Sequence, residues 1–318
     1  MTNQNTKQNK NKGLQRVLKG VIIAIFIFIT VSMTATKFIY NFIFKGYDGK
    51  DSYCPDNNHI MPIRDEYYYP CGEETLYGYR IKSSVPTDSI VIFAPGFNAC
   101  SNEYLPLAAY FTAAGYDTFL FDCVGSGNSS GDSYIGFPQE ILDLEATLNH
   151  VNSLGYDNIF LIGHSRGGYA SCCVINGNVP ITAVATISGV NSAMDGIMST
   201  SVNAVGNIAY LNYPFLWMYQ NELFGYGIAN MSASAELSKS STPALIIHGA
   251  GDTQIPKERY SIYSYKNRIR NKNAQFVLYE KAGRDGHTDI LFDAGGANEE
   301  ITAKIDAFFK SHTIKGDS

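Results

Sequence analysis

The sequence predicts an α/β domain, a mainly parallel sheet with helices on both faces, behind one membrane-spanning helix. Three observations predict it. Short apolar runs of β-branched and aromatic residues alternate with amphipathic stretches from about residue 66 to the C-terminus. That pattern belongs to a sheet buried on both sides. One such run, Ile159-Phe160-Leu161-Ile162, passes directly into Gly163-His164-Ser165-Arg166-Gly167 and then into a helix-compatible segment. A strand, a sharp turn and a helix form the setting of a nucleophile elbow. Residues 20–44 carry Lys37 as their one charge, are almost wholly apolar over 21–31, and are long enough to cross a hydrocarbon core.

Residues 1–19 carry Lys7, Lys10, Lys12, Arg16 and Lys19 and no acid. They form a basic tail, and its first 13 residues, rich in Asn, Gln and Lys, are expected to be disordered. Basic residues ahead of an apolar helix put that end in the cytoplasm and the body outside. A signal peptide cut near Ser32-Met33-Thr34-Ala35 is the alternative, although the apolar stretch continues past that site; both readings export the body. Five of the 24 basic groups lie in this tail, which leaves 19 against 29 acids in the rest. An acidic body gives no basic stripe for a nucleic acid to follow.

Residues 45–65, with two glycines and two prolines, read as a linker. Two strands follow at 66–70 and 75–82. The alternation then runs strand 89–94, helix 102–114, strand 117–122, helix 138–154, strand 158–162 and strand 181–188. Residues 189–241 break the pattern: they are rich in Met, Asn, Ser and aromatics and include the only tryptophan, Trp217. A stretch of that length is too long for an ordinary loop and reads as a helical lid. Strand 244–248, helix 256–269, strand 275–280 and helix 299–310 complete the body.

Six cysteines suit an exported protein. Cys54 and Cys71 flank one short segment and are candidates to pair. Cys100, Cys123, Cys172 and Cys173 fall in or beside core elements, where buried thiols are ordinary. Neither a C-x-x-C pattern nor a metal-spaced His/Cys cluster is present, so no metal and no cofactor are expected.

A serine needs a base, and the base needs an orienting acid. Two loops follow the elbow at strand ends: His248-Gly249-Ala250-Gly251-Asp252 and Gly283-Arg284-Asp285-Gly286-His287. The order Ser165, Asp252, His287 gives nucleophile, acid and base. Asp195, Asp285 and Asp289 are rival acids. His164 is read as a packed neighbour pointing away from the serine, and His248 as a brace of the acid loop. His59, His150 and His312 lie outside every motif. Gly125-Ser126-Gly127 lacks the G-K-[ST] that phosphate binding would require.

With Ala94-Pro95-Gly96-Phe97 and the Asp122–Ser129 stretch added to these motifs, residues 66–312 resemble the α/β-hydrolases. They are similar to the branch with monoacylglycerol lipases and proline-iminopeptidase-like enzymes. The resemblance implies an eight-stranded-type sheet and places residues 189–241 as the lid insertion. It also implies an oxyanion hole from the backbone N–H groups of Phe97 and Arg166. Pro95 departs from the histidine many relatives carry there. The implied activity is cleavage of a carboxylic ester through an acyl-enzyme, on a small acyl substrate with lipid-like ones among the candidates. A serine aminopeptidase, with Glu222 and Glu236 as amine-holding acids, and a catalytically silent surface-binding module are the alternatives.

Overall fold

A computed structural model describes residues 2–45, 60, 63–293 and 296–314. One long helix, α1 (Thr2–Ile43), leads the chain. The residues expected as a disordered tail are therefore helical from Thr2 onward. A helix nucleated in the apolar run propagates cheaply into neighbours, since each added residue gains a hydrogen bond without a new nucleation cost. Residues 12–43 of α1 are apolar and long enough to cross a bilayer. Most of the expected linker, including Cys54 and His59, lies outside the described residues.

The body is built on eight strands: β1 (Asp65–Cys71), β2 (Glu74–Ile81), β3 (Ser89–Ala94), β4 (Asp117–Phe121), β5 (Asn158–His164), β6 (Ala183–Ile187), β7 (Ala244–Gly249) and β8 (Ala274–Tyr279). They lie side by side in the order β1-β2-β4-β3-β5-β6-β7-β8. The β1–β2 and β2–β4 pairings are antiparallel and all later ones parallel. The helices are α2 (Leu105–Ala113), α3 (Gln139–Asn152), α4 (Arg166–Cys173), α5 (Ala193–Val205), α6 (Tyr213–Ala229), α7 (Ala233–Lys239) and α8 (Glu299–Lys310). Successive residues of one strand serve opposite faces, as a period of two demands. Ile90, Ile92 and Ala94 of β3 pack in one apolar cluster with α3, α4 and the end of α1. Val91 and Phe93 pack in the other, with α2 and α8.

Most sequence-read elements lie within two residues of their observed bounds, and residues 193–239 are largely helical. The structure differs from the sequence reading at four points. Residues 256–269 form turns with a single 3-10 turn at Ile262–Tyr265 instead of a helix. A small hairpin, β9 (Phe292–Asp293) with β10 (Gly296–Ala297), was not anticipated. Cys71 is a free, buried thiol, so a Cys54–Cys71 bridge does not form. Its Sγ donates to Asp143 Oδ1 at 3.4 Å. Cys100, read as an ordinary thiol, is disulfide-bonded.

The last turn of α1 enters the body. The Phe44 carbonyl accepts from Tyr134 N–H at 2.8 Å and Ser133 Oγ–H at 2.6 Å. Its ring meets Phe97 and Phe137 edge-on, with centroids 5.4 and 5.8 Å away. Phe44 is 1% exposed and Phe42, on the other side of the helix, is 75% exposed. Removing a buried phenylalanine ring costs about 3–5 kcal/mol. Phe44→Ala is therefore expected to lower the thermal midpoint of the detergent-solubilised protein clearly, and Phe42→Ala to leave it unchanged. Equal midpoints for the two variants would show that α1 does not dock on the body.

Candidate active site

β5 ends at His164 and α4 begins at Arg166, so Ser165 alone makes the turn between them. Its backbone sits at φ 54°, ψ −114°, a conformation that L-residues avoid. The flanking glycines make the turn possible. A Cβ on Gly163 would strike the Gly167 carbonyl, and one on Gly167 would strike the carbonyls of Ala94 and Pro95. Ser165 is thereby lifted above the sheet at the first turn of α4, where N–H groups lack intrahelical partners and the helix dipole is positive.

The two strand-end loops are tied together. Gly251 N–H donates to the Asp285 carbonyl at 3.1 Å and Ala250 N–H to the Tyr279 carbonyl at 2.9 Å. This lock brings His287 over the elbow. His287 Nε2 lies 2.9 Å from Ser165 Oγ, and His287 Nδ1 lies 2.7 Å from Asp252 Oδ2. The structure thus brings the three sequence-read residues into one hydrogen-bonded line, all buried. Asp252 Oδ1 accepts from the N–H groups of Gln254 and Ile255 at 2.9 and 2.8 Å. Burial alone would raise the Asp252 carboxyl, but the hydrogen bond and charge of His287, with the Ile255 N–H and His248, hold it below the usual value. Of the rival acids, Asp195 binds Ser192 and Asn191 at the start of α5. Asp285 meets the acid loop through its carbonyl.

His248 braces the acid loop as read, its Nε2–H donating to the Ile255 carbonyl at 2.8 Å. His164 differs from the reading. It faces the same cleft as Ser165, and its ring centroid is 5.0 Å from that of His287. His164 Nε2 lies 3.1 Å from the His287 carbonyl, and Nδ1 lies 2.9 Å from Tyr104 Oη. Tyr104 Oη accepts the Gly96 N–H at 2.8 Å. One neutral tautomer satisfies every partner: Nε2–H donates to the carbonyl while Nδ1 accepts the Tyr104 hydroxyl proton. A single imidazole thus links the base loop to the Gly96-Phe97 loop.

The Arg166 side chain makes a local salt bridge, with Glu140 of α3, and both groups are fully buried. Its guanidinium lies over the rings of Phe97 and Tyr134, 5.7 and 5.2 Å from their centroids. Phe97 and Ser165 line one cleft of about 340 Å³, and the exposed Thr200 and Asn203 of α5 line it too. Glu222 and Glu236, the acids offered for a substrate amine, are elsewhere: Glu222 pairs with Lys37, and Glu236 with Lys239. The acid that does line the cleft is Glu103. It accepts the Cys100 N–H at 3.3 Å. Sequence reasoning missed Tyr104 and Glu140, whose partners come from distant elements, and Glu103, whose local bond to the Cys100 N–H carries no sign of the cleft. Among the described residues, no group of three or more His, Cys, Asp or Glu side chains could hold a metal ion.

Burial, then the charge of His287, pushes the His164 imidazole down to about 3. A histidine held neutral in the fold but free to protonate when unfolded costs stability as pH falls below its unfolded pKa of about 6.5. The loss accrues at up to about 1.4 kcal/mol per pH unit until the folded pKa is reached. The wild-type thermal midpoint is expected to drop between pH 7 and pH 4.5. His164→Gln, which keeps a donor and an acceptor, is expected to flatten that drop; an unchanged slope would contradict a neutral His164. In the elbow, Gly167→Ala is expected to abolish folding or the reactivity of Ser165, read by circular dichroism and active-site labelling.

The family model described as serine aminopeptidase, S33, matches residues 85–208. No curated protein matches the chain. An esterase of Pyrococcus furiosus superposes with a TM-score of 0.63 at 18% identity, covering 85% of this chain and 99% of its own. The Butyrivibrio proteoclasticus esterase Est1E, solved with ferulic acid bound, gives 0.56 at 18%, covering 77% and 98%. A proline iminopeptidase of Mycobacterium smegmatis gives 0.54 at 16%, covering 78% and 98%. With the sheet order and the strained elbow, these likenesses give the body of this chain the α/β-hydrolase fold.

Proposed function

We propose that this chain is a membrane-anchored serine hydrolase that cleaves a carboxylic ester. The observation that carries the reading is the unbroken line Ser165 Oγ, His287 Nε2, His287 Nδ1, Asp252 Oδ2, at 2.9 and 2.7 Å, mounted on a strained elbow. A backbone held in a disfavoured conformation costs about 1–3 kcal/mol, and such a cost is met where side-chain presentation matters.

In the proposed reaction Ser165 Oγ attacks the acyl carbonyl while His287 Nε2 takes the hydroxyl proton. Asp252 holds the ring so that Nδ1–H points to the carboxylate, and stabilises the imidazolium that forms. Charge developing on the carbonyl oxygen is met by the N–H groups of Phe97 and Arg166 and by the positive end of α4. His287 then delivers its proton to the leaving oxygen, and a water activated by the same ring frees the acid.

The long apolar α1 supports an uncleaved anchor, with the basic residues before it on the cytoplasmic side and the body outside. A peptidase of the same fold is the second reading. Glu103 in the cleft is the observation that favours it, since an acid there could hold a substrate amine. The catalytically silent module has no comparable support, because a binding surface gains nothing from a strained serine aligned with an imidazole.

A fluorophosphonate probe is expected to label the wild type and to leave folded Ser165→Ala unlabelled; persistent labelling of that variant would overturn the assignment. Asp252→Asn is expected to lower kcat by on the order of 10⁴-fold with little change in KM, by analogy with loss of the orienting acid elsewhere. Comparing butyrate esters with aminoacyl arylamides separates the two readings. Preference for the amides, lost in Glu103→Gln, would favour the peptidase.

A further inference from the structure

We infer that the lid segment 205–226 sits in the bilayer surface beside α1, so that the mouth of the cleft lies at the membrane rather than in free solution. This rests on the anchor proposed above and adds to it a second membrane-contacting element.

The lid carries an apolar surface that nothing in the body covers. Outside α1, the exposed large hydrophobic residues among those described are concentrated here: Val205, Ile208, Leu211, Tyr213, Met218, Leu223 and Tyr226, against four elsewhere. Leu211 is 75% exposed and Ile208 65%. Residues 196–221 contain no charged side chain at all. Glu222, the first charge after them, is paired with Lys37 of α1 at 2.6 Å. Exposed apolar side chains gathered in one uncharged segment of an otherwise acidic body mark an interaction surface, and the lack of charge suits lipid better than a polar partner.

The packing on α1 says which partner. Thr36 Oγ1 donates to Asn212 Oδ1 at 3.0 Å, and Tyr219 Oη donates to Asn41 Oδ1 at 2.9 Å. Tyr40 and Tyr219 meet edge-on with centroids 5.1 Å apart. Deeper along α1, Phe28 meets Phe215 edge-on with centroids at 6.0 Å. Phe28 is nine residues inside Lys37, about 13 Å along the helix axis at ~1.5 Å per residue. If α1 crosses the bilayer with Lys37 at its interface, Phe215 is carried below the headgroups. Polar contacts near Lys37 and aromatic ones deeper in match the change from interface to hydrocarbon. The patch is therefore continuous with the lipid-facing surface of α1. The same lid begins at α5, whose Thr200 and Asn203 line the cleft.

Trp217, the only tryptophan in the chain, lies inside this segment and reports on it without labelling. The full-length protein is placed in nanodiscs assembled on a tryptophan-free scaffold, with plain or with acyl-chain-brominated phosphatidylcholine, and Trp217 emission is compared. Quenching by bromines near the headgroup end of the chain, weaker with bromines near the bilayer centre, is expected. Ile208→Asp/Leu211→Asp, two changes at exposed positions, is expected to reduce the quenching and to slow cleavage of a vesicle-borne ester. Cleavage of a soluble butyrate ester should be unaffected. Equal emission in plain and brominated discs, or quenching undiminished in the double variant, would overturn the inference. Failure to enter nanodiscs would overturn it together with the anchor. Fluorophosphonate labelling on the same samples separates the readings: loss of label with quenching intact would sink the hydrolase assignment alone.

Discussion

A serine held at φ 54° and ψ −114° is stable only while its surroundings forbid every alternative, and the cleft is organised around that constraint. Ser165 N–H donates to the Ile187 carbonyl of β6 at 3.0 Å, and the Ser165 carbonyl accepts from Tyr169 and Val190 at 3.3 and 3.4 Å. The residue is therefore held from the neighbouring strand, from its own helix and from the chain leaving β6. Gly163 and Gly167 let strand and helix close on each other at distances no side chain would permit. Because β5 lies between β3 and β6, the sheet on both sides resists relaxation of the turn.

The elbow is also held from below by a buried charge pair. Burial works against the Glu140 carboxylate and pushes that carboxyl up, and the charge of Arg166 opposes this. Such pairs add little net stability, but removing one partner strands the other and costs about 3–5 kcal/mol. The pair's value here is positional. It fixes α3 to the first residue of α4, and it lays the guanidinium across Phe97 and Tyr134. Phe97 in turn touches Phe44 at the end of α1. An unbroken series of contacts thus runs from the apolar helix to the residue after Ser165.

The parts of this arrangement legible in the sequence are those encoded locally. The strand at residues 89–94 and the helix at 299–310 could be read to the residue, because period and caps are properties of consecutive side chains. Ser165, His287 and Asp252 could be singled out because each sits in a glycine-rich turn at a strand end. Glu140 and Tyr104 could not. Each looks like an ordinary helix residue, and its partner is supplied by a different layer of the fold. The misread helix at 256–269 has the same cause: its tyrosines have helix-like spacing but no continuous face to bury, and Ser261 instead caps a short turn at Ser264. The cysteines show it too, since linear proximity suggested Cys54 with Cys71 while the fold commits Cys71 to Asp143.

The contacts of α1 bear on whether it is cut away. Cleavage after residue 35 would leave Thr36, Tyr40 and Phe44 attached, so the packing of Phe44 on Phe97 suits a secreted body as well as an anchored one. Two features do not. The Phe28–Phe215 contact would be lost, and the apolar lid surface around Leu211 and Tyr226 would face water with nothing beside it. An uncovered patch of that kind is an aggregation liability in a soluble protein. Beside an intact helix in a bilayer it is matched by the medium. The lid's composition is thus accounted for by the proposed anchor, in which the helix is retained. On that proposal the apolar face of the lid contacts lipid, and the selection of substrate falls to the side chains that line the cleft.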